Sequence, residues 1–114
     1  LSKADIDQAG VPVVDRSYFE CGEVRQGNVV NASFTIRNKG KRPLVIHHID
    51  GQGDASAVQT QFPLTIKPGG KAEVKVKFDT GKLEYKGEAI EVLSVITNAP
   101  SKPILNLFIT GNVQ

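Results

Sequence analysis

At 114 residues the chain is the size of a single domain with one core, able to bury roughly two-thirds of the surface that its unfolded form exposes. Apolar residues make up 39% and aromatics 6%, with neither Trp nor Met, so the core has to be built from Val, Ile, Leu and a few Phe, which is strand composition. A net charge of +2, with no concentration of Lys and Arg, argues against a nucleic-acid module; the short apolar runs exclude a membrane helix, and the single Cys21 excludes an internal disulfide.

Residues 1–12 are mixed in polarity, hold no period and end in Gly10-Val11-Pro12; they read as a linker or disordered N-terminal segment ahead of a domain at 13–114. No charged-then-apolar leader opens the chain, and a start at Leu1 reads as a processed or excised piece of a longer protein. Val13 and Val14 begin an edge strand. A second strand is expected at 18–24, with Phe19 and Cys21 on one parity, and Gln26-Gly27-Asn28 turns the chain into a third at 29–37. There Phe34 and Ile36 fall on one face and polar residues on the other. Asn38-Lys39-Gly40-Lys41-Arg42 is a turn, and Pro43 stands at the start of a strand at 44–49, where its missing N–H does least harm.

The segment after Asp50 is polar and Gly-rich, so a mobile loop is expected over 50–56. A short strand at 62–66 precedes Lys67-Pro68-Gly69-Gly70, a type II turn in which Gly69 supplies the positive φ. Strands follow at 72–78, 89–97 and 104–113. In the second of these Val92, Leu93, Val95 and Ile96 put apolar residues on both parities, which predicts a central position or a bulge. Seven or eight short antiparallel strands at about ten-residue spacing, with no useful helix, define an all-β immunoglobulin-like β-sandwich. Its inward residues include Phe34, Ile36, Leu44, Ile46, Val74, Val76, Phe78, Leu105, Leu107 and Ile109.

The succession Phe19-x-Cys21-Gly22-x-Val24, Phe34-Thr35-Ile36-Arg37-Asn38-Lys39-Gly40 and Pro43-Leu44-Val45-Ile46 resembles a bacterial Ig-like family known as a domain of unknown function. Ile66-Lys67-Pro68-Gly69, Val74-Lys75-Val76-Lys77-Phe78-Asp79-Thr80, Val95-Ile96-Thr97-Asn98-Ala99-Pro100 and Leu107-Phe108-Ile109-Thr110-Gly111-Asn112-Val113 continue the likeness over residues 18–113. The family is similar to Hydin-type and major-sperm-protein-like modules, which implies a non-catalytic sandwich, often periplasmic or secreted in bacteria, while the single cysteine leaves a cytoplasmic setting open. Many members carry a Cys-Gly-Cys-Thr element whose place is held here by Gly53-Asp54-Ala55-Ser56. With both thiols absent, no metal or redox role of that element carries over.

Few side chains invite chemistry. Cys21 shares parity with Phe19 and has no basic neighbour to lower its pKa, so it reads as a packed structural thiol. His47 and His48 are adjacent in a strand and expected on opposite faces, which keeps them from sharing one ion. His48, Asp50 and Ser56 supply triad residue types without a nucleophile turn or an oxyanion site. Gly51-Gln52-Gly53 lacks the third glycine and the helix of a phosphate cradle. Lys71, Lys75 and Lys77, with Glu73 among them, form a cationic stripe that suits an acidic partner, a solvated sheet face or a guarded edge.

These residues point away from an enzyme and from any cofactor, and toward an accessory module contacting a protein partner or an adjacent domain. The candidate contact residues are Asp50, Gln52, Asp54 and Gln59 in the loop at 50–61, Lys71, Lys75 and Lys77 in the stripe, and Ile104 and Phe108. The last two share the outward parity of the final strand, which is expected to accept or donate β-pairing. The alternative is a glycan or cell-envelope binding module attached to a secreted enzyme. The scarcity of aromatic platforms, with Tyr18 and Tyr85 the only tyrosines, weighs against it.

Overall fold

The structure is a computed structural model that describes residues 9–50 and 55–114. Nine strands, β1 (Pro12–Val14), β2 (Tyr18–Val24), β3 (Val29–Asn38), β4 (Leu44–Asp50), β5 (Ser56–Val58), β6 (Leu64–Ile66), β7 (Lys71–Asp79), β8 (Gly87–Thr97) and β9 (Ile104–Val113), are joined by turns and one 3-10 turn at Thr80–Lys82. They form two sheets, ordered β1-β3-β7-β5 and β2-β9-β8-β4-β6, which pack as a sandwich.

Alternation in the sequence becomes alternation in space. β3 and β7 pair antiparallel from Val29↔Asp79 to Arg37↔Lys71, so Phe34 faces Val74 and Ala32 faces Val76 on the inner side. β8 and β9 pair from Gly87↔Val113 to Ile96↔Ile104, turning Leu93, Val95, Leu105, Leu107 and Ile109 inward. All ten residues expected inside are buried. Phe19 of one sheet meets Phe34 of the other edge-to-face, with ring centroids 6.5 Å apart, tying the layers together. Gly69 has φ +76, as a type II turn after Pro68 requires.

Several expectations change. Among the described residues nine strands stand where seven or eight were expected, and they are not all antiparallel. After β1 pairs with β3, the chain crosses to the other sheet and β2 runs parallel to β9, from Tyr18↔Phe108 to Val24↔Val113. β9 is therefore flanked by β2 and β8, and its expected role as a free pairing strand is lost over most of its length. The loop expected at 50–61 contains β5, which pairs with the edge of β7 through Ser56↔Phe78 and Val58↔Val76. Gln52 and Asp54, and with them most of the expected mobile loop, lie outside the described residues. So do residues 1–8 of the expected linker. The rest of that linker is packed: Gly10 is buried against Leu44, the Val11 N–H donates to Asn38 Oδ1 at 3.1 Å, and Pro12 is buried in β1.

Candidate functional site

With one parity of β8 and β9 consumed by the core, the other faces outward, and register aligns it with neighbouring strands into rungs across the five-stranded sheet. One rung is Glu20–Thr110–Ile90 and the next is Tyr18–Phe108–Val92. Beyond them come Asn106–Ser94–Asp50 and Ile104–Ile96–His48. Adjacent strands lie about 4.8 Å apart, so the row Tyr18–Phe108–Val92 spans roughly 10 Å. Ile90, Ile104 and Tyr18 are 61%, 54% and 52% exposed, while Phe108, Val92 and Ile96 are half-buried between them. The result is a solvent-facing apolar surface in which two aromatic residues, Tyr18 and Phe108, are register partners on adjacent strands.

Charge is divided between the two sheets. The strands of the five-stranded sheet contain no Lys or Arg; their outward carboxylates are Glu20, Glu23, Glu88 and Asp50. Glu20 accepts from Thr110 Oγ1 at 2.8 Å and from the Gly22 N–H at 2.9 Å. Those two bonds, Thr110's first, hold its pKa below the ordinary glutamate value. Asp50 Oδ1 lies 3.5 Å from His48 Nε2. The four-stranded sheet carries the strand cations instead: Arg37, Lys71, Lys75 and Lys77. Arg37 forms a two-point pair with Asp15, Nε to Oδ1 at 2.7 Å and Nη2 to Oδ2 at 3.0 Å, which lowers the aspartate pKa and raises that of the guanidinium.

The candidate residues thus fall on two faces. Asp50, Ile104 and Phe108 share the outer face of the five-stranded sheet. Lys71, Lys75 and Lys77 lie on the four-stranded sheet, and the Gln59 N–H donates to the Lys75 carbonyl at 2.8 Å. β5 pairs with β7 only from Val76 to Phe78, so Lys77 lies between two strands while Lys71 and Lys75 lie on a stretch that no described strand pairs on the β5 side; Lys75 Nζ is 3.6 Å from Glu73 Oε1. Tyr18, Ile90, Val92 and Ile96 complete the apolar face but were absent from the sequence candidates. The two-parity apolar pattern of β8 was the signal for the last two.

No assembly for catalysis emerges among the described residues. The pairing of β4 with β8 shifts between Ile46 and His48, so simple alternation fails there and both His47 and His48 are exposed, contrary to the opposite-face expectation. Ser56 Oγ donates to buried Glu91 at 2.8 Å on the interior side, away from the outward His48–Asp50 pair. Among the described residues no three His, Cys, Asp or Glu side chains converge as a metal site requires. Cys21 is half-buried over Gly111; burial, and secondarily the charge of Glu20, push its thiol pKa up.

The comparisons agree with this immunoglobulin-like sandwich. Residues 13–113 match the family described as a protein of unknown function, DUF1573, and the chain belongs to it. A solved protein of unknown function from Porphyromonas gingivalis W83 is similar at 26% identity and TM-score 0.80, covering 94% of this chain and 48% of its own. This chain therefore spans about half the length of that relative. The ASH/PapD-like domain of human CEP192 is similar in fold at 12% identity and TM-score 0.71, covering 100% of this chain and 90% of its own. So is WR4, a C. elegans MSP family member, at 10% identity and TM-score 0.57, covering 91% and 97%. Among curated proteins none matches.

Proposed function

We propose that this chain is a non-catalytic interaction module that holds a protein partner, or a neighbouring domain of a longer exported protein, against the outer face of its five-stranded sheet. The observation that carries this reading is the alignment of Tyr18, Phe108 and Val92 on one rung, flanked by Ile90, Ile96 and Ile104, on a face whose strands hold no Lys or Arg. Burying a side chain of this size is worth about 1.5–3 kcal/mol, and interface energies concentrate on central aromatic residues. The outward carboxylates favour a partner with an apolar patch bordered by Lys or Arg. The exported, periplasmic or secreted setting rests on the family resemblance.

The test compares Tyr18→Ser combined with Ile104→Lys against Lys71→Glu combined with Lys75→Glu, each checked for unchanged thermal unfolding. Both pairs are exposed, so the fold is retained. Crosslinking in the native organism is expected to lose the partner with the first pair and retain it with the second. Retention with the first pair, or loss only with the second, overturns the proposal.

A further inference from the structure

Along β8 the two edges are treated differently. β9 pairs with its whole length, whereas β4 reaches only Ser94 to Thr97. Beside residues 88–92 no described strand pairs on the β4 side. The direction of the backbone groups there follows from one hydrogen bond. The Phe108 N–H donates to the Ser17 carbonyl, on the side away from β8, so Phe108 and Val92 form a non-hydrogen-bonded pair. Val92 accordingly turns its own N–H and C=O away from β9, and so do Ile90 and Glu88 of the same parity. Among the described residues, these three donors and three acceptors line a regular strand edge that no strand pairs.

Among the described residues, β1, β5 and β6 have three residues each, β2 shifts register between Glu20 and Glu23 around Gly22 at φ +69, and the stretches of β3 and β7 that β1 and β5 leave unpaired present polar side chains outward, Asn31 and Ser33 on β3 and Lys71 and Glu73 on β7. Such shortness and bulging are how sheets avoid edge pairing. The β8 edge has neither, and its central outward side chain, Ile90, is the most exposed large apolar residue of the described chain at 61%.

We propose that this edge is a self-association site, where two copies of the chain join β8 to β8 antiparallel about a two-fold axis at Ile90. That register uses all three outward residues of each copy. Ile90 faces its own copy and Glu88 faces Val92, giving three hydrogen-bonded pairs with two bonds each. A slip of one pair in either direction removes a pair or displaces Asp50 from Ser94. Side chains match as well. The two Ile90 lie side by side on the outer face, no Glu stands opposite a Glu, and on the inner face small Ala89 opposes Glu91. A parallel join would instead set Glu88 against Glu88. The occupant is therefore a second copy, and the symmetry is that of an isologous dimer.

The experiment is sedimentation equilibrium of the unchanged chain over a wide concentration range, with amide hydrogen exchange at both ends of it. A monomer–dimer equilibrium is expected, in which the amides of Glu88, Ile90 and Val92 gain protection with concentration while those of Ala89, Glu91 and Leu93 are protected throughout. Ile90→Pro removes the central donor at a position where its N–H faces away from β9. Ile90→Lys keeps the backbone and sets two cations face to face. Each is expected to weaken dimerisation at least about tenfold. A monomer at the highest concentration, a dimer indifferent to both variants, or concentration-dependent protection on a different strand overturns the proposal.

Discussion

Replacing Asn38 by Ala is expected to cost more stability than any turn residue would suggest. The side chain is fully buried and every polar position on it is used. Its Oδ1 accepts from Val11 N–H at 3.1 Å and Gly40 N–H at 2.9 Å, and its Nδ2 donates to the carbonyls of Arg42 at 2.8 Å and Ile66 at 2.9 Å. Through these bonds one amide holds the entry to β1, the β3–β4 turn and the end of β6. At about 0.5–1.5 kcal/mol net per bond, four bonds sum to about 2–6 kcal/mol. That is a large part of the roughly 5–15 kcal/mol that stabilises a domain of this kind. Urea denaturation of Asn38→Ala, read as a shift in midpoint at constant slope, measures the loss. Asn38→Asp isolates the donor half: the acceptor bonds persist, but a carboxylate faces two carbonyl oxygens. Burial and those carbonyls raise its folded pKa above the unfolded value, so the penalty is full above the folded pKa and fades as pH falls. A loss below about 1 kcal/mol for Asn38→Ala would refute the claim that these bonds act together.

Thr110→Val removes the largest cause of the low Glu20 pKa, so an NMR titration should show the Glu20 carboxyl moving up toward its ordinary value. Because the folded pKa is depressed, the stabilisation is present above the unfolded value and lost as pH falls through the folded one; the variant should lose the Thr110 share of that acid-side dependence while the Gly22 N–H keeps its own, and an unmoved titration would count against the bond. Cys21, half-buried with its thiol pKa raised, is expected to react with a maleimide at neutral pH at least about tenfold more slowly in the native protein than in urea, and equal rates would show a free thiol.

Much of the fold was legible because strand alternation is a local property. The inward parity of β3, β7 and β9 could be read one residue at a time, and the bounds of β2 and β9 match those expected. Less of the contact face was readable. Ile104 and Phe108 could be assigned outward from their own strand, but Tyr18 joins them only because β2 runs parallel to β9 in one register. Asn38 looked like a turn residue, since nothing in its neighbourhood shows that Val11 and Ile66 converge on its amide. His47 and His48 escaped the alternation rule because the register shift in β4 arises from fitting β8, a strand more than 40 positions away.

Period and turn chemistry determined by themselves that this chain is a two-layered β protein and which side chains line its interior, because one face of each strand has to leave water whatever its neighbours are. Strand order, the crossing of the chain from β1 to β2, and the resulting split into a cationic face and an apolar, acid-bordered face were decided only in the tertiary structure. Pairing partners are chosen by contacts between distant segments, and each choice brings together outward residues that no local window of the chain contains.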